Sequence, residues 1–185
     1  MESNLTGQLL IAMPNLADPN FTRSVTLICE HSPQGTMGVI INQPINLTLE
    51  DLLTQLDIEV HAAATLREPV YFGGPVQTDR GFILHDGGQT WKSSLPIRTD
   101  LYLTTSIDIL ADIVQGKGPA NFLVTLGYAG WCAGQLEAEI AANSWLTSAC
   151  DASLLFHTPI EQRWLESGKT IGIDLRLLSD AAGHA

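Results

Sequence analysis

The sequence predicts an α+β fold in which one mostly antiparallel, barrel-like sheet carries flanking helices, all within a single domain over residues 1–185. Three observations lead there. Short apolar runs rich in β-branched residues outnumber the helical patterns. Strands and helices do not alternate regularly, as successive parallel crossover units would. A chain of 185 residues that is 45% hydrophobic and only 16% charged also suits one sizeable core.

The elements follow in order. Gln8-Leu9-Leu10-Ile11-Ala12 and Val25-Thr26-Leu27-Ile28-Cys29 read as strands around a turn-rich loop holding Pro14, Asp18-Pro19 and Asn20. Met37-Gly38-Val39-Ile40-Ile41 is a third strand, ended by Asn42-Gln43-Pro44 because proline cannot donate to a ladder. Together they suggest an antiparallel meander. Thr48 with Asp51 forms a capping pattern, and Leu52, Leu53 and Leu56 follow at helical spacing.

Strand character returns at Val70-Tyr71-Phe72, breaks at Gly73-Gly74-Pro75, resumes at Gly81-Phe82-Ile83-Leu84-His85 and recurs at Leu101-Tyr102-Leu103-Thr104. Ser106 offers an N-cap to a helix over 107–115, with Ile109, Leu110 and Ile113 on one face and Gly116 as its stop. Residues 122–126 form an apolar strand. The glycines of Gly127-Tyr128-Ala129-Gly130-Trp131 then suggest a sharp corner before a helix opening with Gln135, Glu137 and Glu139. Trp145-Leu146 and Leu154-Leu155-Phe156 have no resolved period. Thr158-Pro159-Ile160-Glu161 signals a helix start, and residues 179–185 are expected to fray.

Charge narrows the function. Twenty acidic against nine scattered basic residues give a net charge of −11, which disfavours direct binding to phosphate backbones. The longest apolar stretches fall far short of the roughly 20 residues a membrane-spanning helix needs. The first residues do not read as a secretory signal, so the expectation is a cytoplasmic protein with no membrane association. Cys29, Cys132 and Cys150 are odd in number and widely spaced, which predicts free thiols. No His or Cys spacing predicts a metal site, and no cofactor is expected. Gly168-Lys169-Thr170 is not a phosphate loop, because Arg163 stands where its first glycine belongs, and there is no Gly-x-Ser-x-Gly elbow.

In order along the chain, Leu10-Ile11-Ala12-Met13-Pro14, Asp18-Pro19-Asn20-Phe21, Phe72-Gly73-Gly74-Pro75-Val76, Asp79-Arg80-Gly81-Phe82 and Leu84-His85 are distinctive motifs. They are completed by Gly127-Tyr128-Ala129-Gly130-Trp131, Gly134-Gln135-Leu136-Glu137 and Gly172-Ile173-Asp174. In this arrangement the chain resembles the AlgH/YqgE family over nearly its whole length. The resemblance implies a bacterial cytosolic α+β protein, from a family whose label as a transcriptional regulator describes a regulatory association and does not establish DNA contact. The chain departs from the pattern at Gln43, where many relatives carry a basic residue, which weakens any shared anion site near Asn42. Cys132 stands at a position the pattern does not fix.

The candidate ligand-binding residues are Asn42, Gly73, Gly74, Arg80, His85, Tyr128, Trp131 and Gln135. Arg80 can grip an anion and His85 can titrate or donate near neutral pH. Tyr128 and Trp131 can stack a planar ligand, while the glycines and Gln135 shape the corner. Each also has a structural reading, with Arg80 and His85 tying loops and the aromatics filling a joint. These residues include no catalytic constellation. Glu137 and Glu139, two apart on a helix, point to different faces. The expected function is therefore a noncatalytic binding or regulatory protein with an unknown protein or small-molecule partner. The alternatives are an unrecognised hydrolase or transferase with a site near Arg80 and His85, and a nucleic-acid-associated transcriptional regulator.

Overall fold

The computed structural model describes residues 3–60, 64–87 and 91–178. The expected fraying of residues 179–185 lies outside them. The meander forms as expected: β1 (Gln8–Ala12), β2 (Val25–Ser32) and β3 (Gly35–Ile40) pair antiparallel, with Leu9 opposite Leu27 and Leu27 opposite Val39. Leu9, Ile11, Val25, Leu27 and Val39 fill one core face, while Leu10, Ala12 and Ile28 fill the other. Apolar residues on both faces explain why these strands read as continuous hydrophobic runs.

Next come β4 (Pro44–Thr48) and α1 (Leu49–Gln55), then β5 (Pro69–Phe72), β6 (Val76–His85), β7 (Ser94–Arg98) and β8 (Leu101–Thr104). The α1 capping box is present, with the Asp51 N–H donating to Thr48 Oγ1 and the Thr48 N–H donating back to Asp51 Oδ2. α2 (Asp108–Val114) buries Ile109, Leu110 and Ile113, but the Ser106 hydroxyl donates to the Asp108 carboxylate and accepts no bond from the N–H groups of the first turn. The strands β4 and β7 are not anticipated by the sequence pattern. Both carry proline and only half-buried or exposed residues over most of their length, so they lack the apolar alternation that marks a strand.

The longest strand is β9 (Phe122–Cys132), and it organises the sheet. The expected corner at residues 127–131 is not there. The strand runs through both glycines, and the chain turns at Ala133–Gly134, where Gly134 has φ +75°. α3 (Gln135–Ala141), β10 (Trp145–Ala149), α4 (Ala152–Phe156) and α5 (Arg163–Lys169) complete the chain. At 158–162 the Thr158 hydroxyl donates to the Ser153 carbonyl, leaving a 3₁₀ turn before α5 in place of a capped helix start.

Strand order is β10-β1-β2-β3-β9-β6-β8-β7, and all of these pairs are antiparallel. β5 runs parallel to the first half of β9, with β4 outside it. The sheet curls into a half-barrel, so its two ends approach. Arg98 on β7 donates to the Cys150 carbonyl just beyond β10, and its guanidinium pairs with Asp100.

The glycines mark the point where three backbones meet. Gly73 donates to the Leu126 carbonyl on β9 at 2.8 Å and accepts from the Ile40 N–H of β3 at 2.8 Å. A Cβ on Gly73 would sit 2.3 Å from the Gly127 carbonyl oxygen, and one on Gly74 only 2.1 Å from the Tyr128 carbonyl carbon. Gly127, at φ +77°, would place a Cβ 2.3 Å from the Gly74 oxygen. These contacts are with backbone, which cannot swing aside. Gly127→Ala is therefore expected to destabilise the fold by about 3 kcal/mol or more, the left-handed penalty adding to the clash. Chemical denaturation checks this; a loss below about 1 kcal/mol would show that the junction tolerates a side chain.

Candidate functional site

The residues singled out in the sequence separate into three cavities and a set of packed joints. Trp131 is buried, and its indole N–H donates to Glu139 Oε2 at 2.9 Å. Trp145 donates to the same oxygen at 2.8 Å, while Gln135 Nε2 donates to Oε1 at 3.0 Å. Gln135 Oε1 accepts from the Cys132 N–H, so it closes the turn into α3. The rings of Phe21, Trp131 and Trp145 pack together, with Phe21 edge-on to Trp145 at 5.5 Å. Glu139 is thus a clamp for two indoles. Glu137, on another face of α3, accepts from His31 Nε2 at 2.7 Å, and His31 Nδ1 accepts from the Leu5 N–H. That pair of bonds fixes the tautomer.

His85 is fully buried. Its Nδ1 bonds the Asp86 carbonyl at 2.8 Å and its Nε2 bonds Thr104 Oγ1 at 2.7 Å, with Trp91 edge-on and Tyr102 stacked. A carbonyl can only accept, so Nδ1 carries the proton and Nε2 accepts from Thr104. Burial pushes the imidazole pKa below its ordinary value, against the opposing pull of Asp86. Arg80 is exposed on a bulge of β6, bonded to Gln77 Oε1 at 3.3 Å and lying 5.5 Å over Phe82. Cys29 and Cys150 are buried and their thiol pKa values are raised by desolvation, that of Cys150 to about 12, whereas Cys132 is exposed.

No described cavity joins Arg80 to Trp131. Arg80 borders an apolar pocket of about 250 Å³ with Leu56 and Ile107. Tyr128 and Trp131 border a shallow groove of about 540 Å³ beside Met37 and Cys132. Asn42 lines a cleft of about 640 Å³ on the opposite end of β3. Gly73, Gly74, His85 and Gln135 line none of these three.

The Asn42 cleft combines polar and apolar groups. Asn42 Oδ1 accepts from the Val25 N–H at 2.8 Å and its Nδ2 donates to the Arg23 carbonyl at 2.9 Å, while Gln43 Nε2 donates to the Asn20 carbonyl. These bonds pin the loop between β1 and β2. They hold Arg23 at φ +52°, an uncommon backbone conformation for a residue other than glycine, with its guanidinium 5.2 Å over the Trp164 ring. Trp164, Leu165, Leu175 and Leu178 supply apolar walls. Sequence reasoning found Asn42 but missed Arg23, Trp164 and Arg176. The proximity of Arg23 and Trp164 arises only when the first loop and α5 fold together, so no local pattern reports it.

A curled, mostly antiparallel sheet crossed by one long glycine-containing strand, with short helices on its faces, defines the α+β half-barrel class of this chain. The AlgH-like family model matches residues 9–176, and the chain belongs to that family. It is 55% identical over 183 residues to a UPF0301 protein of Thioalkalivibrio sulfidiphilus, covering 99% of this chain and 98% of that protein. The solution structure of the AlgH protein from Pseudomonas aeruginosa superposes with a TM-score of 0.81 at 46% identity, covering 100% of this chain and 98% of that one. A crystal structure of a Corynebacterium diphtheriae protein shares the fold, with a TM-score of 0.76 at 22% identity and coverage of 97% and 94%. No helix among the described residues is long and apolar enough to cross a membrane.

Two expectations follow from this geometry. Glu139→Ala leaves two indole N–H groups without an acceptor, whereas Glu139→Gln keeps one. The alanine variant should be about 2 kcal/mol less stable than the glutamine variant by denaturation, and equal stabilities would mean that water replaces the carboxylate. For His85, the folded pKa lies below the unfolded value near 6.5. Above that value neither state is protonated and this group contributes no pH dependence. As pH falls below it, the unfolded chain binds the proton first, so stability decreases, by at most about 1.4 kcal/mol per pH unit for one group. The stability difference between wild type and His85→Gln should therefore shrink between pH 7 and pH 5. A difference constant across that range would contradict the assignment.

Proposed function

We propose that this chain is a noncatalytic binding or regulatory protein, and that its partner, a small molecule or a segment of a protein, is taken up in the Asn42 cleft. The observation that carries the reading is the cleft itself: about 640 Å³, within the usual range for ligand sites, and bordered by a loop held in a strained conformation by Asn42. Strain held in place by hydrogen bonds beside a cavity is a common mark of a preorganised recognition surface. Two groups that could otherwise serve as acid or base are engaged in ways that favour binding over chemistry. His85 has both ring nitrogens occupied and no exposed surface, and Glu139 is taken up by three donors.

The net charge of −11 supports regulation through a partner and not through a direct grip on nucleic acid. Cytoplasmic localisation fits the family resemblance and belongs to the same proposal.

A thermal-shift screen of metabolites, with pull-down from lysate, tests the reading. Thr22 is exposed on the cleft rim, so Thr22→Trp should fill the opening without touching the core. Ligands that raise the Tm of wild type by a few degrees should lose that effect in Thr22→Trp and keep it in Arg80→Ala. Hits that survive Thr22→Trp and vanish in Arg80→Ala would move the site to the Arg80 pocket.

A further inference from the structure

The charge distribution around the cleft says what kind of ligand it suits. Acids outnumber bases more than twofold in this chain, so what matters for an anion is a cation that no carboxylate already holds. Arg98 pairs with Asp100 and Arg176 with Asp174. Arg23 has no such partner among the described residues; its guanidinium rests on the face of Trp164. A cation held over an indole face keeps its N–H donors available to a further partner.

A second cation stands behind the same wall. Arg163 is only 4% exposed, yet its guanidinium bonds carbonyl and hydroxyl oxygens alone: Ile41 O, Thr158 O and Tyr71 Oη. No carboxylate among the described residues pairs with it. A buried charge neutralised only by dipoles leaves positive potential in its surroundings. Arg163 does not line the cleft, but its chain neighbour Trp164 and Asn42, the residue after the carbonyl it binds, both do. Glu161, also in the lining, sets a limit by repelling a second negative charge.

We propose, building on the cleft as the binding site, that its ligand is a small organic monocarboxylate. The acid head bonds the free edge of Arg23, and the apolar body lies against Trp164, Leu165 and Leu178. Arg23, and not the residue at position 43, supplies the cation. Gln43 is occupied in holding the loop through Asn20.

The test uses an isosteric pair, 2-naphthoate and its neutral amide, 2-naphthamide, titrated calorimetrically into the purified full chain. Wild type should bind naphthoate about tenfold or more tightly than the amide, the size expected of a hydrogen bond to a charged group. The preference should disappear in Arg23→Gln and persist in Arg23→Lys and Arg80→Gln. Raising the salt concentration should weaken naphthoate and leave the amide unchanged. If both compounds bind equally and Thr22→Trp abolishes both, the carboxylate inference is wrong and the cleft reading stands. If naphthoate does not bind, or Arg23→Gln keeps the full preference, the inference is also overturned; the cleft is then judged by the metabolite screen alone.

Discussion

The architecture depends on three backbones meeting without side chains between them. At Gly73, Gly74 and Gly127 the ends of β3 and β5 are pressed against the middle of β9, and any Cβ there would overlap a carbonyl group. Below this point β9 pairs with β5, and beyond it with β3, while β6 runs along its other edge. The junction therefore splices a small parallel pairing into an otherwise antiparallel sheet. It also brings the carboxyl end of β3, and with it Asn42, to the rim of the cleft. The same close approach explains why the longest strand of the molecule contains the residues that look most like a turn.

The aromatic residues act at a distance from the cleft but in support of it. Glu139 gathers the indoles of Trp131 and Trp145, and Phe21 packs on both rings. Phe21 lies in the loop that carries Arg23, and its carbonyl accepts the Ser24 N–H. One end of the loop is thus anchored in an aromatic cluster on one face of the sheet, and the other is stitched to Asn42. Between these anchors Arg23 is left in a strained backbone conformation, its guanidinium lying over Trp164. On the proposed reading, these anchors order most of the loop before a ligand arrives, which would lower the entropic cost of binding. On the same reading, the acidic exterior favours small anions over polyanions, whose remaining charge would meet the protein's own.

Much of this was legible in the chain. The meander, the Thr48–Asp51 cap and the face of α2 follow from local periodicity and capping chemistry, which act within a few residues. The candidate site was only partly legible. Asn42 lines the cleft, whereas Trp131 and Gln135 build the clamp, Gly73 and Gly74 build the junction, and His85 is sealed in the core. Unusual residues mark constraint, but sequence does not distinguish constraint by a ligand from constraint by a neighbouring strand. Prolines hid β4 and β7, because their pairing comes from partners and not from their own pattern.

By itself, then, the sequence determined the fold class, the family and most strand positions, since hydrophobic period and glycine placement are encoded locally. Tertiary structure alone decided that Gly127 lies within a strand, that one carboxylate serves two tryptophans, and that Arg23 meets Trp164 across more than a hundred residues of chain. These depend on which segments the curling sheet brings together. Contacts between such distant residues are fixed by the packing of the whole core and leave no trace in local spacing.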